Sequence, residues 1–302
     1  MRLVAAAKLP GAINHKAGLP HDDLKRFRSK SMTSKMKVLI HAALFLTSYS
    51  YVYPFLRHLL PNWRFPAFDY IDELTGFPSL ESRILHFLFA VVLYLLFAVL
   101  WERENWKDAF FLRDSLKGLW KGAAFALLLV FGALALFQLT GLLDIQGFIP
   151  DHAKIAALFL AWFVAQAFNA VQEELVFRGY LLRRLAGVYN KHASVALVSL
   201  IFGMGHIAQY SWPGFVYATI GGALFGYLYL TYRNIYVPIG MHGMWDICSH
   251  TLVNGKILLA QPGPLMARLG DVAGNDALLL CMIAPHVFFL AAFFIWKRLW
   301  RL

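Results

Sequence analysis

Charge is what this sequence has least of. Only 15% of its 302 residues are Asp, Glu, Lys or Arg, where a soluble domain carries about a quarter. Cysteine occurs twice, as Cys248 and Cys281, each inside an apolar stretch. That excludes a disulfide framework, and the spacing is not that of a zinc site. Regular alternation of apolar and polar residues is missing too, which argues against a membrane β-barrel. No internal repeat and no low-complexity tract stands out. A secretory signal is not expected, because the run LVAAA after Arg2 is short and Lys8 and Pro10 follow at once.

What the chain has instead is apolar mass. Hydrophobic residues make up 59% of it, gathered in long runs with clustered charges between them. Such runs are membrane spans, not one large soluble core. The expected fold class is an all-α, polytopic transmembrane bundle of about eight spans. They fall near 38–56, 84–101, 120–142, 155–182, 194–210, 214–231, 235–253 and 277–296. At 1.5 Å of rise per residue each can cross roughly 30 Å of hydrocarbon. Residues 1–36 read as a basic cytosolic arm, and 37–302 as the transmembrane domain.

The basic residues report orientation. With this topology, 21 Lys and Arg fall on the side of the termini and six on the other, Arg57, Arg64, Arg83, Lys154, Lys256 and Arg268. The positive-inside rule then puts both termini in the cytosol. The net charge of +11 is thereby assigned to topology and lipid contact. No nucleic acid is expected as a partner, since no recognition motif accompanies the charge.

An ionisable side chain at bilayer depth costs a few kcal/mol on insertion scales (about 2.5–3.5 at the helix centre), so each one is a functional candidate. Three spans hold such groups. In QEELVFRGYLLRR, Glu173 and Glu174 are adjacent and point about 100° apart on a helix. Glu174 and Arg178 stand i, i+4 and can pair, which leaves Glu173 free. Gln166 and Asn169 share its face. The next span ends in FGMGH, with His206, and its Gly203 and Gly205 allow close backbone approach. MHGMWD puts His242 and Asp246 one turn apart, with His250 a further turn on, toward the far interface. Glu173 lies ten residues before Arg183, His206 about 12 into its span, and His242 and Asp246 nine and 13 past Arg233. At helical rise all four reach one layer, roughly 13–20 Å from the cytosolic ends.

Taken singly, a membrane histidine is more often an interhelical hydrogen-bond donor than a catalyst. His41, His86 and His286 are read that way, as packing or interface residues, and His152 and His192 as loop residues. Glu173, His206, His242 and Asp246 differ because one site explains all four.

These motifs resemble the CPBP family of CAAX prenyl endoproteases and bacteriocin-processing or immunity-type membrane proteases, also called the ABI family. Its pattern is EExxxR, then FxxxH, then HxxxN or HxxxD. Glu173, Glu174 and Arg178 match the first, Phe202 and His206 the second, His242 and Asp246 the third, in order and on separate segments. The resemblance spans about residues 155–253. It implies a glutamate-dependent hydrolase opening to the cytosol. Glu173 and His206 would hold and activate water, and His242 and Asp246 would face the oxyanion. Asp246 is a departure, since the eukaryotic prenyl proteases carry Asn there and an ionised Asp cannot donate to an oxyanion.

The expected activity is therefore endoproteolysis of a membrane-associated peptide or protein, lipidated or not, within the lipid bilayer. A multi-pass protein of a prokaryotic plasma membrane is the expected setting. No cofactor is required in this reading. A divalent metal such as Zn²⁺, held by His206 and His242 with Glu173 or Asp246, is the alternative, although HExxH is missing. Two other function classes stay open: a proton-coupled transporter using the same groups as a relay, and a non-catalytic membrane immunity factor or chaperone.

Overall fold

The computed structural model describes residues 32–59, 66–75, 80–104, 115–253, 257–273 and 277–299. Most of the expected N-terminal arm, up to residue 31, lies outside the described residues. Its last residues already belong to the first helix.

Ten helical rods and two short strands make up the described residues. They are α1 (Met32–Thr47, continuing to Leu59), α2 (Pro66–Thr75), α3 (Leu80–Leu95, continuing to Trp101), α4 (Ser115–Thr140) and β1 (Leu143–Phe148). Then come α5 (His152–Glu174, continuing to Val188), α6 (Lys191–Met204), α7 (Ile207–Tyr232), α8 (Tyr236–Cys248, continuing to Val253), β2 (Leu258–Pro262), α9 (Pro264–Ala273) and α10 (Ala277–Leu299). Helix is the answer lipid demands of these apolar runs, because each backbone group must find its partner within the segment. Local signals set the starts. Asp151 caps α5 by accepting from the Lys154 amide at 2.9 Å, and Asn190 caps α6 by accepting from His192 and Ala193.

The structure is an α-helical membrane protein with six helices long and apolar enough to cross a bilayer. Their spans are Ser34–Leu59, Leu80–Trp101, Ser115–Thr140, His152–Val188, Tyr210–Tyr232 and Leu280–Leu299. The segments expected at 194–210 and 235–253 form shorter rods. α6 has 14 residues, about 21 Å at helical rise. It stops at Met204 because Gly205 and His206 turn the chain directly into α7. Near that turn, Ser211 takes a left-handed φ of 57° and breaks the first turns of α7. The strands also depart from the sequence reading, which placed loops there. β1 and β2 pair antiparallel, Leu143 opposite Pro262 and Phe148 opposite Leu258, with a bulge between Ile145 and Gly147.

The bundle has two distinct ends. At one, Arg184 pairs with Glu102 and Glu104, and Arg183 with Glu104. Lys35 lies over the Tyr189 ring and Lys121 over the Tyr232 ring, and Lys297 donates to Thr231. This is the basic end. At the other, β1 and β2 tie the loops between α4 and α5 and between α8 and α9. This is the strand end. Between them, α4 and α8 pack most intimately. A Cβ on Gly122 would collide with the Val237 carbonyl, and one on Gly240 with the Leu119 carbonyl. Small residues permit that approach, and it fixes the helix that carries His242. Gly203 does the same against Phe215 and Thr219 of α7, whereas Gly205 meets only the carbonyl of Phe202.

Candidate active site

The two adjacent glutamates have opposite surroundings. Glu174 is fully buried, and its Oε1 accepts from Arg178 Nη1 at 2.8 Å, one helical turn on. Arg178, equally buried, also donates to the Gly222 carbonyl at 2.9 Å. Its guanidinium is sandwiched between Phe202 and Phe225, at 4.9 and 5.2 Å from the ring centroids. Burying such a pair is tolerable only with this many partners. The spacing anticipated the Glu174–Arg178 pair. It could not show that the same glutamate oxygen also holds His242, whose Nδ1 is 2.9 Å away.

That contact sets the imidazole. A carboxylate only accepts, so Nδ1 carries the hydrogen and Nε2 is aimed elsewhere. Nε2 lies 3.7 Å from Glu173 Oε2 and 3.5 Å from Asp246 Oδ2. Glu173 Oε2 has no hydrogen-bond partner among the described residues. The second histidine is fixed by a different device. His206 Nδ1 is 2.9 Å from the Phe202 carbonyl, so Nδ1–H donates there and Nε2 is the free nitrogen of the neutral ring. The Phe202 ring neighbours both imidazoles, with centroids 4.7 Å from His206 and 6.1 Å from His242.

Glu173, His206, His242 and Asp246 all line one cavity of about 220 Å³, as do Gln166 and Asn169 from the polar stripe of α5. Water occupies roughly 30 Å³ in the liquid, so the cavity admits a substrate group beside a water. The side chains are partly accessible, Glu173 at 17% and Asp246 at 19%. Neither points to lipid.

Three basic or imidazole side chains of the cavity escaped the sequence reading. Arg83 was assigned to a loop, yet it sits in the first turn of α3 and lines the cavity. Its signal was an arginine opening an apolar run. His286 was read as packing. It does pack, with Tyr217 and Trp245 against its ring, and it also faces the cavity. His250, placed near the far interface, stacks on Trp162 at 4.1 Å and lines the cavity as well. His86 keeps a packing role, stacked on Tyr49 and Tyr53. Among the described residues, no three His, Cys, Asp or Glu side chains gather closely enough to hold a metal ion. The set of His206 and His242 with Glu173 or Asp246 is included in that statement.

Residues 155–248 match the model of a family described as type II CAAX prenyl endopeptidase Rce1-like. This segment is similar to that family. The match covers just under a third of the chain and contains every motif that carried the CPBP resemblance. No curated protein and no solved structure matches the chain significantly. Within the matched segment lie Glu173, His206, His242 and Asp246, with α6, α7 and most of α5 and α8. α3 and α10, which supply Arg83 and His286 to the same cavity, lie outside it.

Proposed function

We propose that the chain is a membrane-embedded endopeptidase that hydrolyses a peptide bond with water activated by Glu173 and His206. The observation that carries this reading is the contrast between two neighbouring carboxylates. Glu174 is fully buried with its Oε1 held by both Arg178 and His242, while Glu173 is partly accessible and lines a cavity it shares with two imidazoles.

The steps follow from that geometry. Glu173 takes a proton from water as the oxygen attacks the carbonyl carbon. The carbonyl becomes an oxyanion. His242, in its imidazolium form, donates Nδ1–H to Glu174 and directs Nε2–H at the developing charge. The intermediate then collapses, the C–N bond breaks, and the amine leaves with a proton relayed from Glu173 through His206 Nε2. Products are a carboxylic acid and an amine, and no residue ends altered. Asp246 sits one turn from His242 and steadies Nε2, a positioning role. The family likeness, a membrane location and this site together favour a peptide substrate that is itself in or at the bilayer.

The test uses purified full-length protein in liposomes with a quenched-fluorescent peptide library. Glu173→Gln and His206→Ala are each expected to lower cleavage on the order of 10²–10⁴-fold, the range for general acid–base groups, with expression and thermal stability unchanged. Full activity in both variants would overturn the proposal. Cleavage is expected to survive a chelator, since every proton transfer above uses the chain's own residues. A loss restored by Zn²⁺ would replace this mechanism with the metal-assisted one.

A further inference from the structure

The cavity is asymmetric along the membrane normal. Toward the basic end its lining gives way to buried side chains. Below Glu173 on α5 come Glu174, Arg178, Tyr180 and Leu182, each fully buried. Leu224, Leu228 and Ile235 close the same layer from α7 and the start of α8. The buried Glu174–Arg178 pair lies within this layer.

Toward the strand end the lining continues. Arg83 stands in the first turn of α3, which begins there. His206 and Tyr210 occupy the α6–α7 turn, at the far end of that hairpin from Lys191. Ser249 belongs to the last turn of α8, and Leu278 to the first of α10. These residues are partly exposed, unlike that layer. The cavity therefore runs from the level of Glu173 to the strand end.

Charge says which compartment that is. Among the described residues, the strand end carries four Lys and Arg (Arg57, Arg83, Lys154 and Arg268) against seven Asp and Glu (Asp69, Asp72, Glu73, Glu81, Asp144, Asp151 and Asp271). The basic end carries 11 described Lys and Arg (Lys35, Lys37, Arg103, Lys117, Lys121, Arg183, Arg184, Lys191, Arg233, Lys297 and Arg298) against two Asp and Glu (Glu102 and Glu104). Contacts in the structure group the basic residues as that count assumes, with Lys35, Lys121, Arg184 and Lys297 all at one end. A bias of this size orients a polytopic protein with its basic end in the cytosol.

We infer that the cavity is reached from the extracytosolic face, so that its substrate is a polypeptide presented there: a translocated peptide, or the outer end of a membrane-spanning segment. This replaces the cytosolic opening expected from the family resemblance. The substrate class rests on the proposed hydrolase activity. The direction of access does not.

The experiment places single cysteines in a full-length Cys248→Ala, Cys281→Ala background, expressed in bacterial cells. Ser249→Cys reports the cavity and Leu116→Cys the basic end of α4. A membrane-impermeant sulfonated maleimide is added to intact spheroplasts and to permeabilised ones. Ser249→Cys is expected to label at least tenfold more than Leu116→Cys in intact spheroplasts, and Leu116→Cys to label only after permeabilisation. Ser249→Cys labelling only after permeabilisation, or the reverse pattern, overturns the inference. If the cavity is too narrow for the reagent in both states, a C-terminal alkaline phosphatase fusion decides. An inactive fusion supports the inference and an active one overturns it. The same labelling is expected with Glu173→Gln added. A protein labelled from outside yet inert toward every peptide would remove the hydrolase reading alone, and an active hydrolase labelled only from inside would remove this one alone.

Discussion

Glu173 and Glu174 are neighbours in sequence and belong to two different regions of the molecule. Glu174 faces the basic half of the bundle, a dry core in which it holds Arg178 and His242 while the rings of Phe202 and Phe225 flank the Arg178 guanidinium. Glu173 faces the strand half, where the helices part around a polar cavity. The difference is one residue of helical rotation, about 100°. It turns one carboxylate into a structural anchor and leaves the other available for chemistry. The anchor also serves the cavity, since its oxygen holds Nδ1 of His242 and so orients the ring.

The comparison breaks most visibly in the dry half. Arg178→Ala removes the guanidinium paired with Glu174 at 2.8 Å and leaves that buried carboxylate with His242 alone. Truncating one partner of such a pair costs about 3–5 kcal/mol, so the variant is expected to lose most of its folded population, read as detergent-solubilised melting temperature and protease resistance. Glu173→Gln is the matched change in the wet half, expected to leave melting unchanged. If Arg178→Ala melts like the parent, the anchor role is wrong.

A second break acts on the frame that both halves share. Gly240 lets α8 approach the Leu119 carbonyl of α4, and α8 carries His242 and Asp246. Gly240→Val forces the helices apart. Overpacking of this kind costs about 1–3 kcal/mol, less than the lost ion pair. Activity is expected to fall further than stability, because a shift near 1 Å at a catalytic group can cost roughly 10²-fold. Gly132→Val in α4, where a Cβ would meet nothing within 4 Å, is the control and is expected to be silent in both measurements.

Reading the sequence recovered what is local. The α5 spacing gave the Glu174–Arg178 pair, and the polar stripe of Gln166, Asn169 and Glu173 does face one cavity. Apolar length gave the membrane class and six of the spans. What it missed depends on distant parts of the chain or on how rods end. Arg83, 90 positions before Glu173, looked like a loop charge because nothing local says that α3 begins against the cavity. His286 looked like packing because its second face meets the cavity only once α10 lies beside α7 and α8. The direction of the opening was out of reach for the same reason: the buried layer is built from residues of three separate helices.

The finest test concerns Asp246. Its oxygen is 3.5 Å from His242 Nε2, and the prenyl proteases that the motif resembles carry Asn there. If Asp246 acts only by holding His242 in place, an amide of the same shape keeps the contact and adds an N–H that can itself reach an oxyanion. Asp246→Asn is then expected to retain activity within about tenfold, and Asp246→Ala to lose more, toward the 10²–10³-fold that removal of an oxyanion contact costs. The pH profile separates positioning from proton transfer. A positioning residue leaves its shape intact on Asp246→Asn, whereas loss of one limb of the profile would make Asp246 a proton carrier and move the base away from Glu173.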